Sequence, residues 1–161
     1  MRLGEGVEWA IHTCLNLSWL ETGRGVSTTR LAAFYDLPAA YLNKQLQGLV
    51  RAGILSSSPG PRGGFALARR PEDITVLDVV TAVEGADPLF RCEEILRQGP
   101  GGRPEVDYRS TCLVSGAMRR ADLAWRRALA EQTLADIRAE VERRFPETPE
   151  ATRERFAVLH A

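Results

Sequence analysis

The sequence contains no apolar run that approaches the ~20 residues needed to cross a lipid bilayer. Its N-terminus carries Glu5 and Glu8 and lacks the basic flank and the cleavage site of a signal peptide. Its three cysteines are too few for the disulfide framework of a small secreted protein, and no CxxC pair is present. These absences predict a cytoplasmic protein without a membrane segment, whose cysteines are free thiols or metal ligands.

Enzyme signatures are also missing from the sequence. It has no glycine-rich phosphate-binding loop and no Ser/His/Asp set, and its only histidines are His12 and His160. Nothing therefore supports an enzyme, and we expect a binding or regulatory protein. A chain of 161 residues fits one domain with an appended element.

The net charge of zero hides an uneven distribution along the chain. Residues 24–70 contain seven basic residues and one acidic residue, a net charge of +6, whereas residues 1–23 carry −2 and residues 71–161 carry −4. A solvated surface normally mixes charges of both signs. The concentration of positive charge therefore favours a nucleic-acid partner that binds residues 24–70.

The stretch Leu37–Gly85 has the pattern of a DNA-reading unit. Leu42, Leu46 and Leu49 repeat at helical spacing, which predicts a helix with one buried face and one polar face. Gly53 follows the last turn, where a left-handed glycine commonly ends a helix. This helix is the predicted recognition helix.

The segments on either side complete the unit. Ile54–Ser57 and Phe65–Arg69 are predicted strands that flank the turn-forming sequence PGPRGG. A helix over Thr29–Tyr35, capped by Ser27 or Thr28, precedes the recognition helix. Helix, short turn, helix and β-ribbon together predict a winged helix-turn-helix.

The remaining chain is predicted to be helical, so the expected fold class is mainly α with a small β-wing. Helices are predicted over Leu3–Leu20, over Ile74–Glu84 with Thr75 as cap, and as one long helix over Leu113–Phe145. The last of these is too long to be covered by a small winged domain, which favours a dimerisation arm. The predicted divisions are a winged helix-turn-helix domain over 1–88, a loop over 89–112, the dimerisation helix over 113–145 and a mobile tail over 146–161.

Potential metal ligands lie in two places. Glu8 and His12 are four residues apart on the first helix, so they share a face, whereas Cys14 lies about 200° around the helix from His12 and is expected in the core. Cys92 and Cys112 are separated by a loop of 19 residues, which is a weak metal signal by itself. By spacing alone, a core histidine remains an alternative to a ligand at His12.

The sequence YLNKQLQGLVRAGILSSSPGPRGGFALARRPEDITVLDVVTAVEG resembles the signature of the IscR- and NsrR-type (Rrf-two) bacterial regulators, and the resemblance covers about residues 1–143. It implies a dimeric winged-helix repressor, in a family in which many members hold an iron–sulfur cluster. It also implies that Cys92 and Cys112 are cluster ligands in a cluster-binding loop, with Glu8 as a ligand from the partner subunit.

Typical members of the family have three closely spaced cysteines, whereas this chain has two cysteines in the corresponding region. His12 can supply the missing ligand, and EWAIHTC in the first helix most resembles the redox-sensing RsrR branch. The resemblance thus implies a 2Fe–2S cluster held by two thiolates, one imidazole and one carboxylate. Trp9, next to Glu8, is a candidate gate for the response, and an interface aromatic is the alternative.

Candidate DNA-binding residues lie on the recognition helix, at the start of the preceding helix and in the wing. Asn and Gln side chains can read adenine edges, whereas Lys and Arg suit guanine or phosphate. Some relatives have a wing-tip arginine where this chain has Pro59, so Arg62 is expected to contact the minor groove instead. The candidates are Thr28, Thr29, Ala39, Ala40, Tyr41, Asn43, Lys44, Gln47, Arg51 and Arg62.

The expected function is therefore a dimeric repressor that binds a double-stranded DNA operator and senses redox state. A cluster-free repressor of the same fold, responsive to thiols, zinc or a small molecule, is the alternative within this class. A protein-interaction adaptor built on a winged helix is the alternative from another class.

Overall fold

The computed structural model of the chain describes residues 3–20, 24–60 and 63–159. Within these ranges the chain is mostly helical, with one two-stranded antiparallel sheet. None of the helices in these ranges has the length and apolar character of a membrane span. The elements in chain order are α1 (Glu5–Trp19), α2 (Thr28–Tyr35), α3 (Ala39–Arg51), β1 (Leu55–Ser58), β2 (Gly64–Leu67), a 3₁₀ turn (Pro71–Asp73), α4 (Val76–Glu84), α5 (Ile95–Gln98), α6 (Tyr108–Thr111), α7 (Leu113–Ala130), α8 (Leu134–Arg144) and α9 (Thr148–Val158).

α2 and α3 form the helix-turn-helix, and local hydrogen bonds explain their limits. The Ser27 hydroxyl accepts a hydrogen bond from the backbone N–H of Arg30 at 3.3 Å, so Ser27 caps α2. α3 ends because Gly53 adopts a φ of +67°, after which the N–H of Ile54 donates to the carbonyl of Leu49 at 2.9 Å. The predicted helix pair and its glycine cap are therefore confirmed.

β1 and β2 form the wing, with Leu55 opposite Leu67. An isolated bridge ties the wing to the helix-turn-helix, since Val26 and Phe65 exchange two backbone hydrogen bonds of 2.9 Å each. Gly64 is required at this junction because a Cβ there would lie 2.4 Å from the backbone of Val26, at a φ of +130°. The predicted strands are confirmed, with ends shifted by one or two residues.

The core lies where α1, α3 and α4 meet, and it fixes the recognition helix on the rest of the chain. The apolar face of α3 is inaccessible to solvent, as its periodicity predicts. Truncation of Leu46 to Ala would cost about 2–5 kcal/mol of stability. The fully buried residues at this junction are Ala10, Cys14, Leu42, Leu46, Leu49, Ile54 and Val79.

The prediction of one continuous helix over 113–145 was wrong, because two helices occupy this range. The Thr133 hydroxyl accepts from the N–H of Asp136 at 3.1 Å, and the carboxylate of Asp136 accepts from the N–H of Thr133 at 2.8 Å. This capping box starts α8. At the break, the carbonyl of Gln132 accepts from the N–H of Val76 at 2.8 Å, so the chain turns to join the start of α4.

The prediction of a mobile tail over 146–161 was also wrong for the described part, which ends at residue 159. Residues 148–158 form α9, and Pro149 occupies its first turn, where proline is compatible with a helix. Phe156 of α9 is 2% exposed and belongs to the main core cluster. The C-terminal segment is therefore part of the folded domain.

Candidate nucleic-acid interface and candidate metal ligands

The face of α3 opposite the core is exposed along its whole length. Its first turn presents small residues and one aromatic ring, and its later turns present amide and basic side chains. A helix that presents such groups to solvent suits insertion into the major groove of DNA. The exposed residues are Ala39, Ala40, Tyr41, Asn43, Lys44, Gln47 and Arg51, which are the residues of α3 that the sequence offers as candidates for DNA contact.

The start of α2 lies beside this face. Thr28 is the first residue of α2, and its hydroxyl donates to Oδ1 of Asn43 at 3.3 Å, which links the two helices of the helix-turn-helix. Thr29 is exposed in the same turn. The free N–H groups of a helix N-terminus favour a phosphate, so this end of α2 is suited to the DNA backbone.

The positive charge of residues 24–70 is partly neutralised by acidic residues that follow them. Nε of Arg70 donates to Asp73 at 2.9 Å, and Arg69 lies 3.6 Å from the carboxylate of Asp78. The hydrogen bond from Arg70 lowers the pKa of Asp73 below its usual range. Among the described residues, Lys44 and Arg51 of α3 take part in no ion pair, so both positive charges are open to solvent. Arg62, the predicted wing contact, lies outside the described residues.

α1 presents the two predicted ligands Glu8 and His12 to solvent and its opposite side to the core. Cys14 is fully buried on that opposite side, as predicted, and burial raises the pKa of its thiol to about 12. The half-buried ring of Trp9 meets the ring of Tyr41 edge-on, with centroids 5.2 Å apart. An open groove at the start of α1 connects the side of α1 that carries Glu8 with α3. It is lined by Leu3, Gly4, Glu5, Val7, Glu8 and Tyr41.

Cys92 and Cys112 follow α4 in the sequence, and both are free and partly exposed. Cys112 immediately precedes α7 as its N-terminal cap residue. Among the residues that the structure describes, no three or more His, Cys, Asp or Glu side chains come together as a metal site. A single chain therefore does not bring the four predicted ligands to one point.

A row of apolar residues along α7 is left exposed. Leu113 is 88% exposed and Val114 is 65% exposed, and the small residues that follow at helical spacing are also open to solvent. In the described chain α7 buries only Ser115 completely, so its apolar side is available to a second molecule. The exposed residues of this row are Leu113, Val114, Ala117, Met118, Ala121, Ala124 and Ala128.

The structure adds a residue that the sequence pattern did not single out. Tyr35 at the end of α2 lies edge-on to the ring of His12, with centroids 5.8 Å apart. Nδ2 of Asn16 donates to its hydroxyl at 2.9 Å. Burial raises the pKa of Tyr35, and the bond from Asn16 offsets part of that rise. No sequence signal identified this contact, since it joins two helices through their tertiary packing.

Known proteins resemble this chain over most of its length. Residues 3–140 match the family model Rrf2, described as an iron-dependent transcriptional regulator. The HTH-type transcriptional regulator YffB of Lactococcus lactis is 30% identical over 142 residues, which is 88% of this chain and 90% of that protein. The Rrf2 protein of Nitratidesulfovibrio vulgaris is 29% identical over 137 residues, which is 85% of this chain and 87% of that protein.

Solved structures share the fold. IscR of T. potens matches 90% of this chain and 91% of its own, with a TM-score of 0.65 and 20% identity. CymR, described as the global cysteine regulator of B. subtilis, matches 87% of this chain and 98% of its own, with a TM-score of 0.64 and 20% identity. Likeness at this identity establishes the architecture, which confirms the predicted fold class of mainly α with a small β-wing.

Proposed function

This chain belongs to the Rrf2 family of transcriptional regulators, and from that premise we propose that it senses redox state through a 2Fe–2S cluster. It acts in the cytoplasm as a homodimeric repressor that binds a double-stranded DNA operator, with the cluster held between its subunits. Members of the family are transcriptional regulators and not enzymes. The function is therefore regulatory, and the cluster serves as its sensor.

The observation that carries the proposal is the exposure of Glu8 and His12 one turn apart on α1. A carboxylate and an imidazole on the solvent-exposed side of a helix can bind a metal centre whose other ligands come from a partner subunit. Cys92 and Cys112 supply two thiols. Within one chain, these thiols do not come together with Glu8 and His12. Two thiolates, one imidazole and one carboxylate make four side-chain ligands, the number that a 2Fe–2S cluster takes.

The exposed row on α7 supports the homodimer. In water, an apolar row of this length is stabilised by burial against another helix, and a second copy of α7 offers the same surface. Ala117, Ala121, Ala124 and Ala128 would allow the two helices to approach closely, while the larger side chains at the start of α7 extend the contact. Because Cys112 directly precedes α7, the dimer would carry the cluster-binding loop of one subunit towards the partner.

The bound cluster supplies reversible one-electron chemistry, at a potential that an imidazole ligand raises relative to an all-thiolate set. The residues beside the ligands then connect the site to the DNA-binding helices. Trp9 contacts Tyr41 on α3, and His12 contacts Tyr35 on α2. A displacement of α1 would therefore be passed to both helices, with Trp9 as the gate. Because the first helix contains the motif EWAIHTC, we propose that the chain belongs to the RsrR branch of the family.

We propose that the exposed side of α3 reads base edges, with Thr28 and Thr29 on the backbone and Arg62 at the wing. The main alternative is a cluster-free repressor of the same fold, responsive to thiols, zinc or a small molecule. Membership of a family of transcriptional regulators favours both of these functions over an adaptor. The visible absorption spectrum of anaerobically purified protein separates the two, because a 2Fe–2S cluster is coloured and zinc is not.

The test of the ligand set measures iron and acid-labile sulfide after anaerobic purification of single variants. We expect Glu8→Ala, His12→Ala, Cys92→Ala and Cys112→Ala each to lose most of the iron. Cys14→Ala is the matched control, because Cys14 is buried on the other side of α1 and should leave the iron content unchanged. Full iron retention in His12→Ala would contradict its role as a ligand.

The test of redox sensing measures binding to the duplex upstream of the chain's own gene, with the protein held oxidised or reduced. We expect the two states to differ in affinity because two of the candidate ligands, Glu8 and His12, lie on α1, the helix that contacts α2 and α3. Equal affinity in both states would contradict redox sensing and would favour the cluster-free repressor.

A further inference from the structure

Helix α9 bridges the C-terminal ends of α1 and α2, the two helices that precede the recognition helix. It lies beyond the residues that the family model matches. On α1, Nη1 of Arg153 donates to the carbonyl of Trp19 at 3.3 Å. On α2, Nη2 of Arg155 donates to the carbonyl of Phe34 at 3.2 Å. One helix therefore holds the ends of two others.

These arginines provide donors that the last turns of α1 and α2 lack. The last carbonyl groups of a helix have no partner within it and carry a partial negative charge. Neither α1 nor α2 has a basic residue in its last turn. Arg153 and Arg155 thus satisfy from α9 two acceptors that a nearby lysine or arginine commonly satisfies within a helix.

Packing between α9 and α2 reinforces the hydrogen bonds. The ring of Phe156 stacks on the ring of Phe34 with centroids 4.7 Å apart and planes 17° apart. The guanidinium carbon of Arg155 lies 5.2 Å from the centroid of the Phe34 ring. Nη2 of Arg30 donates to the carbonyl of Phe156, so α2 also holds α9 in return. Phe34 is the centre of these contacts.

α2 depends on such contacts for its orientation. It has only eight residues, of which Leu31 and Ala32 alone are buried. Its first residue, Thr28, bonds to Asn43 of α3. Any change in the angle between α2 and α1 would therefore move the N-terminal end of α2, which is proposed to bind phosphate, and the side chains of α3 next to it.

We propose that α9 fixes the orientation of α2 on α1, and that Phe156 and Arg155 are positioning residues for sequence-specific DNA binding. The inference rests on the proposed operator binding. Base contacts require accurate placement of side chains in the groove, whereas binding to phosphates tolerates small displacements. Removal of the α9 contacts should therefore reduce specific binding more than non-specific binding.

The test uses the full chain and two labelled duplexes, the operator that wild-type protein selects from a random-sequence library and a scrambled duplex of the same length. Fluorescence anisotropy at one salt concentration gives both affinities, and their ratio is the specificity. Phe156→Ala removes the stacked ring, and Arg155→Ala removes an exposed side chain that bonds Phe34. Val158→Ala is the control, because Val158 lies on the same helix and is 78% exposed.

We expect Phe156→Ala and Arg155→Ala to lower the specificity ratio on the order of tenfold, which is the discrimination that one base-reading side chain provides. Affinity for the scrambled duplex should stay nearly constant, Val158→Ala should match wild type, and Phe156→Leu and Arg155→Lys should recover part of the ratio. An unchanged ratio in both alanine variants would overturn the inference, and so would an equal reduction of affinity on both duplexes.

Two further results have defined meanings. If Phe156→Ala fails to fold, Arg155→Ala decides, since the Arg155 side chain is exposed. If wild-type protein selects no sequence, the proposed operator binding fails, and amide exchange in α2 then tests the inference separately. Faster exchange in α2 of Arg155→Ala than of Val158→Ala would support the positioning role, and equal exchange would overturn it.

Discussion

The indole ring of Trp9 on α1 meets the phenol ring of Tyr41 on α3 edge-on, with centroids 5.2 Å apart and planes at 77°. Trp9 directly follows the candidate ligand Glu8, and Tyr41 is 49% exposed on the side of α3 that we propose to contact DNA. Edge-to-face pairs of this kind contribute about 0.5–1.5 kcal/mol beyond their burial. The contact therefore joins the candidate sensor to the recognition helix by a single step.

Replacing Trp9 with Leu removes this contact while leaving all four candidate ligands in place. We expect the visible spectrum of the cluster to persist and the affinity difference between oxidised and reduced protein to shrink, by about 2–10-fold for the energy of one aromatic pair. Anisotropy of the operator duplex in both states measures the difference. Trp9→Phe, which keeps a ring, is the control and should retain most of it. A full redox response in Trp9→Leu would mean that Trp9 is only an interface aromatic.

Local patterns were sufficient to predict the helix-turn-helix. Three kinds of local signal were available: the leucine spacing of α3, the glycine at position 53, and the caps at Ser27 and Thr75. Each of these signals spans only a few residues. The break before Thr133 carried a similar signal, since Asp136 stands three residues later as a capping box requires. It was obscured because Leu134, Ile137 and Val141 continue the apolar periodicity across the break.

Contacts between distant parts of the chain could not be predicted in this way. Trp9 and Tyr41, or Phe34 and Phe156, meet only after the helices have packed, and nothing in the local sequence pairs them. Charge counting had a different weakness. It located the basic segment correctly, but it took no account of the bond from Arg70 to Asp73 just after that segment.

The proposed ligation of the cluster between subunits predicts that two defective chains complement each other. In a mixed dimer of Glu8→Ala and Cys92→Ala chains, one site combines both defects, and the other combines the intact α1 of one chain with the intact loop of the other. We therefore expect the mixture to regain about half a wild-type content of iron per mixed dimer, because one of the two sites of a twofold dimer is whole. Iron analysis after co-expression with two different affinity tags measures it.

The control for this mixture pairs Glu8→Ala with His12→Ala, two changes on the same helix. Such a mixed dimer has one defect in each site and should remain without iron. If the first mixture also remains without iron although both chains are in the dimer, the ligands come from a single subunit and the intersubunit site is disproved.

The proposed dimer predicts the effect of a charge on α7. Ala121→Glu places a carboxylate in the centre of the exposed apolar row, where burial of an unpaired charge is costly, so we expect a monomer at micromolar concentration. Light scattering during gel filtration measures the mass. Arg119→Glu, on the opposite side of α7, is the matched control and should stay dimeric. Two dimers of equal mass would show that α7 is not the interface.

The cysteines are predicted to differ in reactivity towards iodoacetamide. Burial raises the pKa of Cys14 to about 12, so at pH 8 only about one molecule in ten thousand carries its thiolate, the form that reacts. Cys92 and Cys112 are partly exposed, and we expect mass spectrometry to find two labels on folded, cluster-free protein and three after denaturation. Protein that holds its cluster should be protected at both positions. Labelling of Cys14 in folded protein would contradict the packing of α1.

Salt dependence distinguishes the basic residues that contact DNA from those that stabilise the fold. Removal of one phosphate-binding side chain lowers the slope of log affinity against log salt by about 0.9, so Lys44→Ala in a dimer should lower it by about 1.8. Arg70→Ala is the matched control because its guanidinium already bonds Asp73 at 2.9 Å and lies 3.4 Å from Glu72. We expect its slope to equal that of wild type, as measured by anisotropy across a salt series. Equal reductions in both variants would mean that the ion pair opens on DNA, and that the whole basic segment, rather than α3 alone, contacts the phosphates.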